Sequence, residues 1–377
     1  MIRPLSLLGL VFALTAAGSA TAQPRQGPPP YTSPEVKDGK VTFRLRAAKA
    51  EKVGMASSDI PGGGQRARAM KKGEGDLWEI TLEVAPGTYR YRIDVDGVPA
   101  VDPRNPAVSE SFGNVWSLLR VPGAAFMDTA DVPHGAVAAV TYHSKTAGKF
   151  RRAHVYTPPG YETGTDQYPV FYLLHGAGDC DDSWTSVGRA NDILDNLIAA
   201  KKAVPMIVVM PAGHDNKFAG MFGPPRDGQP RARFEDDFEK DLRPHIEKTY
   251  RVKTDRANRA IAGLSMGGLQ TLNVFAANPA DYSAVGVFSS GVFGNKETQE
   301  AWAKQHTATL STAAAKDVKV LWFATGKDDF VLNSTKGTIE LLKKLGLKPE
   351  YKETTGGHTW INWQRYLNEF APKLFRR

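Results

Sequence analysis

A single cysteine, Cys180, occurs in the 377 residues, so no disulfide can form within the chain and its stability must come from packing. That residue reads as a small packed or partly exposed thiol rather than a nucleophile. The sequence also lacks a HExxH pair or any other metal-ligand spacing of histidines and carboxylates, and one cysteine excludes a Cys-rich zinc site. Neither a metal nor a cofactor is expected. Beyond the N-terminus no stretch reaches the ~18 uninterrupted apolar residues of a membrane span, so no membrane partner is expected. Dense basic stripes are missing too. The net charge of +8 comes from Lys and Arg scattered among 40 acids, with only short clusters such as "RARAMKK" and "PRARF". This is not the footprint of a nucleic-acid binder; it reads as solubility, with some attraction to anionic surfaces or acidic polysaccharide. No internal repeat is present, and no feature specifies an oligomeric state.

What is there begins with Arg3, the apolar run "LSLLGLVFALTAA" and the small residues of "ATAQ". Together they read as a signal peptide over residues 1–22, cleaved after Ala22, which implies a secreted or periplasmic protein. A Pro-rich leader follows (23–34). Over residues 35–122 the apolar period is two. Val41, Phe43 and Leu45 alternate with polar residues, as do Trp78, Ile80, Leu82 and Val84, and then Tyr89, Tyr91, Ile93 and Val95 before an Asp-Gly turn. Short alternating strands split by Gly, Pro and Asp predict a small antiparallel, immunoglobulin-like β-sandwich, joined by a linker (123–135) to the rest. Residues 136–377 read differently. Eight strand-like runs, from "GAVAAVTYHS" to "PEYKETTG", are separated from the third onward mostly by helical stretches, among them "GRANDILDNLIAAKK", "FEDDFEKDLRPHIEKTY" and "STKGTIELLKKLG". Runs such as "PMIVVMP" and "VKVLWFA" are apolar throughout, as strands buried on both faces are. The alternation predicts a mostly parallel sheet with helices on both faces.

Within this part, "RAIAGLSMGGLQTL" places Ser265 between a short apolar strand and a helix. A GxSxG match is cheap alone, but this setting is that of a nucleophile on a sharp strand-to-helix turn, the mark of the α/β hydrolase fold. Gly263 and Gly267 supply the small neighbours that such a turn requires, and Gly268 lets the helix approach the sheet. The helix start also presents N–H groups where negative charge develops during acyl transfer. A serine needs a base, and in this fold the order is Ser, acid, His. Only His306 and His358 follow Ser265. His306 sits in the polar, helix-like "AWAKQHTATL", whereas His358 lies in "TTGGHTW", a Gly-rich loop after a strand, and is the expected base. Among the intervening acids, Asp328 and Asp329 follow "VLWFATG" at a strand's carboxyl end, where open α/β sheets place their sites; either can orient His358. The "YLLHGAGD" segment fits the second donor loop of an oxyanion hole, with the N–H groups of Ala177 and Met266 as donors and His175 as a structural hydrogen-bonder. Trp184 and Trp360 flank these segments and read equally as substrate contacts or as packing. The loop at 214–234 leaves a strand on the same side and reads as functional or as a plain surface excursion.

Taken together, "YLLHGAGDCDDSW", "PMIVVMPAGH", "FEKDLRPHIEKTYRV", "RAIAGLSMGGLQTL", "GKDDF" and "GGHTWINWQRYL" resemble carbohydrate esterase family 1, the esterase D or putative esterase group. The resemblance covers residues 136–377. It implies a serine esterase that removes feruloyl or acetyl groups from plant cell-wall polysaccharide such as xylan, with Ser265 as nucleophile and His358 as base; the alternatives are an acyltransferase or a siderophore-type esterase on the same fold, and a non-catalytic glycan-binding protein. The family's Gly-x-x-Asp pattern points to Asp329, with Asp328 as the alternative. The upstream "LEVAPGTYRYRIDVDG" and "VDPRNP" resemble an early-set, carbohydrate-binding-module-48-like domain. Such domains bind glycans through exposed aromatics; here Trp78 falls on the apolar face of its strand and reads as core, Trp116 reads either way, and glycan binding and shaping of the esterase cleft both stay open.

Overall fold

The computed structural model describes residues 30–61, 66–214 and 234–376. The expected signal peptide, most of the Pro-rich leader and most of the 214–234 loop lie outside the described residues. Two antiparallel sheets come first. One orders its strands Glu35–Lys37, Lys40–Arg46, Leu77–Glu83 and Lys71–Lys72. The other is built around the strand Gly87–Val95, flanked by Val53–Ala56 and Asn114–Val121. Their shared core holds the residues that alternate in the sequence, Val41, Phe43, Leu45, Tyr89, Tyr91 and Ile93, and Trp78 is buried with them.

The strand Gly87–Val95 departs from the simple in-out pattern. Thr88 and Arg90, which alternation would turn to water, are 3% and 5% exposed. The second face of this sheet is covered by the α/β layers, so a strand with one apolar face is buried on both. From Thr32 onward the chain is one compact unit.

The larger part is an eight-stranded sheet: β1 (Ala136–Ser144), β2 (Lys149–Thr157), β3 (Val170–Leu174), β4 (Ile207–Pro211), β5 (Arg259–Leu264), β6 (Ala284–Phe288), β7 (Val320–Gly326) and β8 (Glu350–Thr354). The order is β1-β2-β4-β3-β5-β6-β7-β8, with β2 antiparallel to both neighbours and every other pair parallel. All eight strand-like runs of the sequence are present. Successive residues of β3 feed opposite cores. Phe171 and Leu173 join Ile193, Leu194, Tyr366 and Phe370 on one side. Tyr172 and Leu174 join Phe238, Leu272, Phe275 and Leu342 on the other. Helices Ala190–Ala199 and Trp360–Phe370 therefore cover one face, and Met266–Ala277 and Leu332–Lys344 the other. This is the α/β hydrolase fold preceded by a β-sandwich. No helix among the described residues is long and apolar enough to cross a membrane.

Polar groups fill the junction of sandwich and sheet. Gln364, on the last long helix, donates from Nε2 to the carbonyls of Thr88 (3.2 Å) and Val187 (2.7 Å). Asp59 is 5% exposed and accepts from the N–H of Arg90 at 3.0 Å. Burial outweighs that hydrogen bond and the nearby Arg90 charge, pushing the Asp59 carboxyl up to about 6. The folded state thus holds this proton more tightly than the unfolded chain does. The resulting stability is complete below the ordinary carboxylate pKa and is lost as pH rises through about 6. In Asp59→Asn that dependence is absent. Urea titrations of variant and wild type at pH 4 and pH 8 are expected to show their difference moving in the variant's favour by about 2–3 kcal/mol at the higher pH. An unchanged difference would mean that Asp59 ionises freely.

Candidate active site

Ser265 is the residue between β5 and the helix Met266–Ala277, with φ 51° and ψ −117°. This is a left-handed conformation that a residue with a Cβ adopts only under constraint. Its N–H donates to the Phe288 carbonyl (2.9 Å) and its carbonyl accepts from Ser290 Oγ (2.6 Å). The two glycines of the motif are needed for close approach. A Cβ on Gly263 would lie 2.3 Å from the Gly267 carbonyl, and one on Gly267 would lie 2.5 Å from the His175 carbonyl. Any side chain there would push the helix off the strand.

His358 follows β8 and Asp329 follows β7, so both stand at the carboxyl edge of the sheet beside Ser265. The Nδ1 of His358 lies 2.9 Å from Oδ1 and 3.1 Å from Oδ2 of Asp329. The Asp329 side chain has no exposed surface. Burial works to raise its pKa, but the hydrogen bonds and charge of His358 prevail, helped by the Val331 N–H at 3.0 Å, and hold it below the usual carboxylate range. Asp328 is exposed, and its N–H is used by the Gly356 carbonyl at 3.0 Å. Of the two adjacent acids, Asp329 is therefore the one that touches His358. Asn362 holds the histidine loop by donating from Nδ2 to the Gly357 carbonyl (2.8 Å) and the Thr355 carbonyl (3.2 Å). His306 lies within the helix Lys296–Leu310.

The loop after β3 completes the arrangement. Ala177 and Met266 line the same cavity as Ser265 and His358. His175 is buried with Nδ1 2.7 Å from the Gly176 carbonyl, while its Nε2 accepts the Gly213 N–H at 2.8 Å. Those partners put the proton on Nδ1, and burial lowers its pKa, so the ring is a neutral strut. Cys180 is a free thiol whose pKa burial pushes up to about 11, consistent with packing rather than reactivity.

The cavity has a volume of about 830 Å³. Its walls beyond the polar centre are aromatic: Trp116, Phe293, Phe330, Trp360 and Trp363. Phe330 is 80% exposed with its ring centroid 4.5 Å from that of His358, and Trp363 approaches the same imidazole edge-on at 5.0 Å. Trp184 is not among these walls. It is fully buried, donates from Nε1 to the Leu174 carbonyl at 3.1 Å and stands edge-on behind Trp360 at 5.2 Å. Of the two readings open for Trp184 the structure has the packing one: the indole supports Trp360 from the core and does not reach the cavity as a substrate contact would. Trp360 itself lines the cavity although only 3% exposed.

Four lining residues, Ser58, Asp59, Arg90 and Trp116, come from the sandwich. Sequence reasoning missed the first three: Arg90 sits at an outward-facing position of its strand and Ser58 and Asp59 in the bend after Val53–Ala56, and neither place signals that it would be covered. Trp116 is held in place by Arg92, whose guanidinium carbon is 3.4 Å from the ring centre, and by a hydrogen bond from Nε1 to Ser111 Oγ at 3.2 Å. Phe330 directly follows the acid in "GKDDF", a proximity that could have flagged it.

Comparisons with known proteins address the family and the fold. The family model described as "Putative esterase" matches residues 144–374. The chain is 32% identical over 357 residues to an endo-1,4-beta-xylanase/feruloyl esterase of Xylanibacter ruminicola; the match covers 90% of this chain but 45% of that protein. Among solved structures, a ferulic acid esterase is 28% identical with a TM-score of 0.55, covering 63% of this chain and 97% of its own. The enterochelin esterase of Shigella flexneri, 17% identical, has a TM-score of 0.64 and covers 89% of this chain and 92% of its own, a likeness of fold. A strained serine on a glycine-packed turn, an aspartate on a histidine and a family match spanning most of the sheet have one common reading: the chain belongs to the putative esterase family, as an esterase of the carbohydrate esterase family 1 type.

Proposed function

We propose that this protein is a secreted serine carboxylesterase that removes hydroxycinnamoyl groups of the feruloyl type from xylan. The observation that carries the reading is that His358, backed by Asp329, lines one cavity with Ser265 on its strained turn. With Nδ1 facing Asp329, Nε2 of His358 is left to take the proton of Ser265 Oγ as that oxygen attacks the ester carbonyl. The negative charge on the carbonyl oxygen is held by the N–H groups of Ala177 and Met266. Asp329, kept anionic, stabilises the imidazolium. The imidazolium then protonates the sugar oxygen as its bond to the acyl carbon breaks, leaving an acyl-Ser265. Water, deprotonated by His358, attacks that ester; the carboxylic acid leaves and Ser265 recovers its proton.

The aromatic walls favour an aryl acyl group over acetyl, since five rings around about 830 Å³ exceed what two carbons can fill. The names of the Xylanibacter relative and of the ferulic acid esterase structure support the same substrate class. A second reading has one observation behind it: the likeness to the enterochelin esterase extends over 89% of the chain, further than the 63% of the ferulic acid esterase. That reading is a siderophore-type esterase.

Initial rates on methyl ferulate, acetylated xylan, p-nitrophenyl acetate and enterobactin separate the readings. Methyl ferulate is expected to give the highest kcat/KM; preference for enterobactin would establish the siderophore reading, and slow, equal rates on all would end the cell-wall one. Ser265→Ala is expected to fold normally and to lose turnover by several orders of magnitude; retained activity would falsify the nucleophile assignment. Asp329→Asn is expected to lower kcat by roughly 10³–10⁴-fold. Asp328→Asn is expected to leave kcat within about twofold, since its side chain does not contact His358. The reverse ranking would transfer the role to Asp328.

A further inference from the structure

The loop that carries Ala177 has almost no side chains with which to hold itself in place. Gly176, Ala177 and Gly178 contribute one methyl group between them, so their backbone must be fixed from outside. Two of the external contacts come from the sandwich. The N–H of Phe112 donates to the Gly178 carbonyl at 3.2 Å. Arg90 Nη1 lies 2.5 Å from Oδ1 of Asp179, the residue that ends the loop. The rest of the guanidinium is committed to the same junction: Nε donates to Ser109 Oγ (2.9 Å), and Nη2 to Ser183 Oγ and to the Glu110 carbonyl, both at 2.8 Å.

Both partners of this ion pair are nearly dry, with side chains 7% and 9% exposed. A buried ion pair is weak evidence for stability, because desolvation offsets the Coulomb attraction. What it does supply is geometry. The planar fork addresses the Asp179 carboxylate and the Ser183 hydroxyl from two nitrogens in fixed directions, whereas a lysine has one ammonium nitrogen on a flexible stem. All the donors described are directed at protein atoms, so although Arg90 borders the cavity its guanidinium is occupied as a bracket.

We propose that Arg90 is a positioning residue of the esterase site, carried by the sandwich, which holds the Gly176–Asp179 loop so that the Ala177 N–H meets the developing oxyanion. The inference rests on the reading of Ala177 as an oxyanion donor. The sandwich is then part of the catalytic apparatus even for substrates too small to touch a glycan-binding surface.

The test uses the full chain and three variants: Arg90→Lys, Arg90→Ala and the charge-neutral double variant Arg90→Met/Asp179→Leu. The last removes both ions and is expected to keep a cooperative thermal transition. Rates on p-nitrophenyl acetate are normalised to the active sites titrated by a phosphonate ester. Inhibition by phenylboronic acid, which forms a tetrahedral adduct on Ser265, is measured in parallel. For Arg90→Ala and the double variant, kcat is expected to fall about 10- to 100-fold with KM within about threefold. Affinity for the boronate should fall by a similar factor, because its tetrahedral oxygen occupies the same hole. Guanidinium chloride at tens of millimolar should restore part of the rate of Arg90→Ala, and Arg90→Lys should lie between wild type and alanine.

A kcat within about threefold of wild type in Arg90→Ala and the double variant overturns the proposal. So does a loss confined to KM, which would make Arg90 a substrate contact, or a fall in kcat with boronate affinity unchanged. A double variant without a cooperative transition also overturns it, in favour of a purely structural bridge. If Ser265→Ala retains turnover, the site reading itself fails, whatever Arg90 does.

Discussion

The site depends first on a backbone constraint. Ser265 occupies a conformation that costs about 1–3 kcal/mol and persists only where its surroundings leave no alternative. Here they do so by extending the sheet's ladder past the ends of its strands. The Ser265 N–H reaches the Phe288 carbonyl, the Ser289 N–H reaches the Ala324 carbonyl at 2.7 Å, and the Lys327 N–H reaches the Thr354 carbonyl, also at 2.7 Å. Ser289, buried beside it, has φ 45° as well, so two neighbouring strand ends turn in step. The Asp329 N–H in turn reaches the Gly326 carbonyl at 3.1 Å, at the end of the strand beside it. The turn that exposes the serine and the turn that places the acid are thereby parts of one hydrogen-bonded edge.

A second constraint is the dryness of the junction beneath that edge. Arg90, Asp179 and Gln364 are nearly buried and find partners across the sandwich boundary, and Asp59 is buried beside them on the Arg90 N–H. Groups this polar are tolerated out of water only when hydrogen-bonded. They consequently fix the orientation of the two sheets more narrowly than apolar contacts, which slide at little cost.

The fold was largely legible in the chain because its signals are local. Continuous apolar runs gave the central strands, and period-two runs gave the sandwich. The glycines beside Ser265 announced a turn whose crowding the structure shows atom by atom. The pairing of Asp329 rather than Asp328 with His358 is a matter of which way adjacent side chains face, and residue types alone left that open. Trp184 was ambiguous for a related reason: an indole next to an oxyanion loop can point inward or outward, and this one donates to a strand carbonyl in the core. The last helix, Trp360–Phe370, was hidden behind the Gly-rich loop before it. The contributions of Asp59 and Arg90 could not be read at all. Arg90 looks like a solvated residue on the polar side of a sheet and Asp59 like one in an exposed bend, and only the docking of a distant part of the chain makes that place an interior.

Leu118 shows how far this docking goes. It belongs to a sandwich strand, Asn114–Val121, yet its side chain is buried in the same cluster as Trp184, Ile193 and Phe370 of the α/β layers. The hydrophobic interior therefore does not respect the boundary that the sequence pattern suggests. Cutting the chain where the family match begins, at residue 144, would open a hole in the larger core as well as discard the smaller one. In this chain the two folds share one interior and behave as one piece for any truncation or exchange.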